Sequence, residues 1–162
     1  MLGVSLATVT IVHVVISLIA IGIGIVVMFG MLADRRLSGL TAVFLALTIL
    51  TNATGFLFPF KQVLPSHVIG ILSLVLLAIA CLALYVMKLS GAWRWIFIVT
   101  ALLSLYFNVF VLVIQSFLKI PVLTALAPGN PPSGAIFAVI QSILLGFFVL
   151  IVIGACRRFK PS

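Results

Sequence analysis

Acidic residues are almost missing from this 162-residue chain: it has no glutamate and a single aspartate, Asp34. One carboxylate side chain excludes paired-carboxylate glycoside hydrolysis and the aspartic-protease dyad. It also excludes a hard-cation cage, which needs several Asp or Glu oxygens. Histidine and cysteine are scarce as well, two of each, and no H-E-x-x-H, C-x-x-C or phosphate-binding glycine loop occurs. Charge of any sign amounts to 6% of residues, while 65% are hydrophobic. Soluble domains carry about 25% charged and about 45–50% apolar residues, so this composition belongs to the membrane class.

What the chain does have is apolar length. A bilayer core of about 30 Å needs roughly 20 apolar helical residues. Five stretches reach that length, at about 4–32, 40–60, 65–87, 93–118 and 134–156. The expected fold is all-α: an integral membrane five-helix bundle forming one transmembrane domain. Its punctuation is Ala33-Asp34-Arg35-Arg36, Phe58-Pro59-Phe60-Lys61, Met87-Lys88 and the Pro128-to-Ser133 breaker cluster. The first run lacks a basic leader and is too long for a signal-peptide core, so it reads as a true span. The longest connection, 119–133, is apolar enough to lie on the outer surface as a loop or short lid.

Nine basic residues then choose an orientation. Arg35, Arg36, Lys88, Arg94, Arg157, Arg158 and Lys160 fall on one side of the five spans, and Lys61 and Lys119 on the other. The positive-inside rule puts the seven in the cytoplasm, with the N-terminus outside and the C-terminus inside. The net charge of +8 is thus a topology signal rather than a nucleic-acid footprint. Trp93 and Trp95 beside Arg94 read as an interfacial anchor. Cys81 and Cys156 fall in the reducing cytoplasmic half, where they serve as small packing residues rather than a disulfide. Every lysine flanks a span, which removes a retinal-type Schiff base. Asp34 lies on the opposite face from both histidines, which removes a Ser/His/Asp triad. No catalytic residue is nominated.

Polar residues within spans usually face a bundle interior or a cavity. Counting about 1.5 Å per residue from each inner boundary places His13 and His67 at about 28–30 Å, the outer interface. Gln115 shares that level; Gln141 falls at about 24 Å, and Asn52 and Asn108 at about 18–21 Å. Helical spacing aligns Ala101, Ser104, Asn108, Val111 and Gln115 in one stripe, and His13, Ser17, Ala20 and Gly24 in another. Thr48, Thr51, Asn52 and Gly55 form a third. The expected site is a polar pocket in the periplasmic half built from His13, His67, Asn52, Asn108, Gln115 and Gln141. The plainer reading is that the amides are interhelical glue worth about 0.6 kcal/mol each, and that His67 is an interfacial anchor.

Two imidazoles on different helices can clamp a b-type haem iron, and only in that case are His13 and His67 metal ligands. Lys61 or Lys119 would then meet the propionates. Alternatively His with Asn or Gln can hydrogen-bond a quinone while aliphatic walls hold its tail; either cofactor would serve electron transfer. Met28, Met31 and Met87 lie at the wrong end for a soft copper site. Two further readings stand beside this one. One is a non-catalytic accessory subunit of a larger membrane complex, suggested by Gly22, Gly24 and Gly30. The other is a small-solute channel or transporter, suggested by the polar stripe. The expected partners are the lipid bilayer and either a membrane-protein partner or further copies of the chain, with no nucleic acid. The segments 51–60 (Thr51-Asn52-Ala53-Thr54-Gly55-Phe56-Leu57-Phe58-Pro59-Phe60), Pro65-Ser66-His67-Val68-Ile69-Gly70 and Gly91-Ala92-Trp93-Arg94-Trp95 resemble a set of short polytopic proteobacterial inner-membrane proteins. That resemblance covers most of the length. It implies a multi-pass protein of the bacterial inner membrane and carries over neither an activity nor site residues.

Overall fold

The computed structural model describes residues 5–58 and 65–160, and every regular element among them is helical. In chain order these are α1 (Leu6–Leu32), α2 (Ser38–Gly55), α3 (Pro65–Cys81), α4 (Trp93–Lys119), α5 (Pro121–Leu126) and α6 (Ala135–Arg158). A π-helical turn, Leu82–Val86, extends α3. All but α5 are long and apolar enough to cross a membrane, α3 together with its π turn. The five expected spans are therefore present, with ends shifted by a few residues. The expected start of the first span at 4 and end of the second at 60 lie outside the described residues, while the expected start of the third, 65, is where α3 begins. Within the 119–133 connection the short helix α5 starts on Pro121, whose fixed φ suits a first turn.

Local chemistry sets the helix ends. The Ser5 hydroxyl accepts from Thr8 N at 3.2 Å and caps α1. At the other end, Gly30 leaves room for Leu37, whose Cδ1 would stand 2.7 Å from a Cβ there. That space lets the chain fold back after Asp34, which takes a left-handed φ of 54°, and start α2 antiparallel to α1. After the π turn, Lys88 and Leu89 are both left-handed (φ 50° and 57°), and Leu89 N donates to Ala83 O at 3.0 Å as the chain reverses into α4.

The four helices α1, α2, α3 and α4 form a ring, each packing on its chain neighbour, with α4 also reaching α1; α6 lies outside against α4 and α1. Two glycines mark close crossings. A Cβ on Gly24 would meet Leu105 Cδ1 at 2.6 Å and the Phe44 ring at 2.8 Å, so α1, α2 and α4 converge there. This is the close approach that the Ala20/Gly24 spacing predicts. A Cβ on Gly154 would meet Leu32 at 2.9 Å, which seats α6 on the end of α1.

The core occupies one half of the bundle. Its buried members are Val27, Met28 and Met31 of α1, Phe44 and Leu45 of α2, Leu77 and Ala80 of α3, and Phe97 to Leu105 of α4, joined by Phe148 to Phe159 from α6 and its end. All lie on the side of the Gly24 crossing that carries the seven arginines and lysines. Both cysteines are free thiols there, Cys156 buried, as the packing role predicts. The lone carboxylate closes this end: Asp34 Oδ1 accepts from Lys160 N at 2.7 Å. Arg94 Nη1 donates to the carbonyls of Cys156 (3.3 Å) and Phe159, capping α6, while its guanidinium stacks 4.9 Å from the Trp95 ring. Trp95 is exposed but Trp93 packs on the core, so only one of the two tryptophans points outward as an anchor would.

Candidate functional site

Beyond the Gly24 crossing the ring is hollow. A cavity of about 570 Å³ opens there, lined by α1 from Thr10 to Ile21, α2 from Thr51, α3 to Gly70, and α4 from Phe107. Core and cavity meet at one level on every helix: α1 passes from lining to core at Ile21–Gly24, and α4 from core to lining between Leu105 and Phe107. The volume falls within the range of about 300–1,000 Å³ that small-molecule sites use.

Five of the six residues nominated from sequence line this cavity: His13, Asn52, His67, Asn108 and Gln115. The sixth, Gln141, does not. It sits on α6 against the outside of α4, its Nε2 donating to Phe110 O at 3.4 Å and its buried Oε1 unpartnered. Depth placed Gln141 at the right level, but depth says nothing about which helix closes the ring, and α6 lies outside it. Lys119, considered only for propionates, lines the mouth; Lys61 lies outside the described residues.

Hydrogen bonds divide these side chains into two groups. Asn52 is committed: its Nδ2 donates to Thr48 O at 2.8 Å and across to Ser73 Oγ of α3 at 3.2 Å. It is thus interhelical glue, with its Oδ1 turned toward Gly70. His13 is half committed. Its Nδ1 lies 2.9 Å from Thr54 Oγ1, and that hydroxyl also reaches the backbone carbonyls of Leu50 at 2.8 Å and Thr51 at 3.1 Å. In the tautomer in which the hydroxyl donates to a carbonyl, it accepts from Nδ1, and Nε2 of the neutral ring keeps its lone pair for a ligand. The Phe58 ring meets the imidazole edge-on at 5.3 Å.

On α4 the two amides of the stripe are uncommitted, while Ser104 Oγ donates to Thr100 O at 2.9 Å. Among the described residues the side chains of Asn108 and Gln115 make no hydrogen bond, and Asn108 Nδ2 is buried without a partner. Across the cavity on α2, Thr51 Oγ1 is buried and equally unpartnered, in a residue only 6% exposed. The serines of the wall are satisfied: Ser17 donates to His13 O and Ser116 to Leu112 O. Unpaired amide and hydroxyl groups facing an apolar interior are costly, on the order of 1–3 kcal/mol each. Among the described residues two of the three such buried atoms, Thr51 Oγ1 and Asn108 Nδ2, belong to residues that line the void; the third, Gln141 Oε1, lies outside it.

His67 packs obliquely on Phe56, ring centroids 6.2 Å apart. It enters from α3 and His13 from α1, helices that stand diagonally across the ring. Among the described residues there is no group of three or more His, Cys, Asp or Glu side chains for a bare metal ion. Sequence reasoning set Thr51 in the α2 stripe but nominated neither it nor Thr54 as a site residue; the contact of Thr54 with His13 links positions 41 apart, which helical spacing cannot show. No family model matches the chain, and no curated protein or solved structure is similar to it.

Proposed function

We propose that this chain is a small multi-pass protein of a bacterial inner membrane that binds a lipophilic molecule with an oxygen-bearing ring, of quinone type, in the cavity between α1, α2, α3 and α4. The observation that carries this reading is the uncommitted set of Asn108, Gln115 and Thr51 beside a void in an otherwise apolar bundle. Asn108 and Thr51 supply donors for a carbonyl oxygen, His13 Nε2 supplies an acceptor for a hydroxyl, and Leu18, Ile21, Phe107 and Val111 supply apolar walls. A ligand carrying both kinds of oxygen would satisfy groups the protein leaves unpaired. Seven basic residues at the core end against Lys119 at the cavity end favour a cytoplasmic core and a site facing the periplasm.

A b-type haem is the second reading. It draws support from His13 and His67 on diagonal helices and from the hydrogen bond that holds His13 Nδ1, the arrangement that orients a ligating imidazole. A through-channel is less favoured, because the polar lining stops where the packed core begins. The accessory-subunit reading predicts no retained ligand.

The deciding experiment is an absorption spectrum of the purified protein, followed by solvent extraction and chromatography of the bound lipids. A quinone recovered in near-stoichiometric amount, and lost in His13→Ala and Asn108→Leu, is the expected result. A Soret band lost in His13→Ala selects haem. Protein that carries neither, with both variants behaving as wild type, overturns the binding reading.

A further inference from the structure

The ring around the cavity is not closed evenly. α1 and α2 are tightly joined, as are α3 and α4, but α4 meets α1 chiefly near the Gly24–Leu105 crossing. Beyond that crossing α1 loses its partners: no described residue of α1 before Ala20 is buried. His13 and Ser17 still face inward, yet Val14 and Leu18, which line the cavity, keep 40% and 49% of their surface accessible, comparable to outward-facing Val15 and Ile19. Side chains that face the cavity and the exterior together mark an opening in the wall. This one lies along α1 opposite Val111 and Leu112 of α4 and runs the length of the lining, about 17 Å at 1.5 Å per residue. Its rims are aliphatic at Val14, Leu18, Val111 and Leu112, which the helical rise places below the outer interface, and the lining turns polar beyond them at Thr10, Gln115, Ser116 and Lys119. The polar groups stand behind the rims.

Resting on the quinone-type reading above, we propose that the cavity is filled from the side, through the seam between α1 and α4, by a bilayer lipid whose ring enters while its chain stays in the seam. Three observations set that class of ligand. The seam is apolar, which rejects a water-soluble solute on entry; the unpaired donors lie beyond it, which reward a ring with oxygens; and a seam this long matches an extended chain rather than a compact molecule. One end of the seam is fixed by the Gly24 crossing, and toward the other end α1 is tied to α2 by the His13–Thr54 contact.

The test reconstitutes the full chain in vesicles containing phosphatidylcholine with a photoactivatable acyl chain and maps the cross-links by mass spectrometry. The expected labels fall on Val14, Leu18 and Val111 as well as on outward-facing Val15 and Ile19. Decylubiquinone should lower the seam labels several-fold, the same quinone head without a tail should not, and Leu18→Trp should lower them as decylubiquinone does. Labels confined to Val15 and Ile19 overturn the lateral route whatever the protein binds. Seam labels that decylubiquinone leaves unchanged uphold the route and overturn a quinone as its occupant. A seam shielded by a second copy, seen as a dimer in native mass spectrometry, overturns the proposal as a whole.

Discussion

Asn108→Leu should make the ligand-free protein more stable while destroying its site. Among the described residues Asn108 makes no hydrogen bond, and its Nδ2 is buried in the cavity wall without a partner. A buried unsatisfied amide costs about 1–3 kcal/mol. Leucine removes the orphan, and its extra methyl groups have the adjoining void to occupy. The net gain expected is about 1–2 kcal/mol; with about 2–4 °C per kcal/mol for a chain of this size, the thermal midpoint should rise by about 2–8 °C. Asn52→Leu is the control. It removes donors to Thr48 O and to Ser73 Oγ, a residue only 1% exposed, and so breaks a link between α2 and α3. Interhelical bonds of this kind are worth about 0.6 kcal/mol on average, up to about 1.7, so the midpoint should fall by about 2–6 °C. The assay is thermal unfolding of delipidated protein in detergent, followed by tryptophan fluorescence. A lower midpoint for Asn108→Leu, or the same sign for both variants, would refute the division into committed and uncommitted amides.

Three further outcomes are expected. Gly24→Ala should lower the midpoint by about 2–12 °C, because its Cβ would press on Leu105 and Phe44, both fully buried, and overpacking costs about 1–3 kcal/mol; Gly22→Ala, with open space around it, should be neutral or slightly stabilising in the same melt. Arg94→Gln should lower it by about 3–12 °C, since charged donors to the carbonyls ending α6 are worth about 1.5–3 kcal/mol, and limited proteolysis should then clip the C-terminal end. Thr54→Val should keep the fold, as a melt would report, yet weaken retention of the bound quinone or haem about tenfold in titration, because His13 loses the acceptor that orients it.

The spans were legible because apolar length is a one-dimensional signal, and so was the level of the polar belt, because helical rise converts position into depth. The grouping of His13, Asn52, His67, Asn108 and Gln115 followed from that depth together with the stripes of small residues on α1, α2 and α4. Gln141 shows where the method stops: it has the same depth and residue type but sits on a helix outside the ring. Which amide is glue was equally hidden, since Asn52 finds Ser73 only through the packing of α2 on α3. The partners of Arg94 were hidden for a related reason: they are carbonyls more than sixty residues away, which no local pattern around Trp93 and Trp95 can show.

The boundary at Gly24 also bears on how such a protein can change over time. The packed core lies on one side of it, in residues that do not line the cavity, and on the function proposed above recognition would fall on the other side, where Asn52–Ser73 and His13–Thr54 link the helices. Substitutions that alter what the hollow end recognises can therefore accumulate without first being rescued by changes in the packed end. A lineage built on this plan is free to trade one hydrophobic guest for another while its scaffold stays the same.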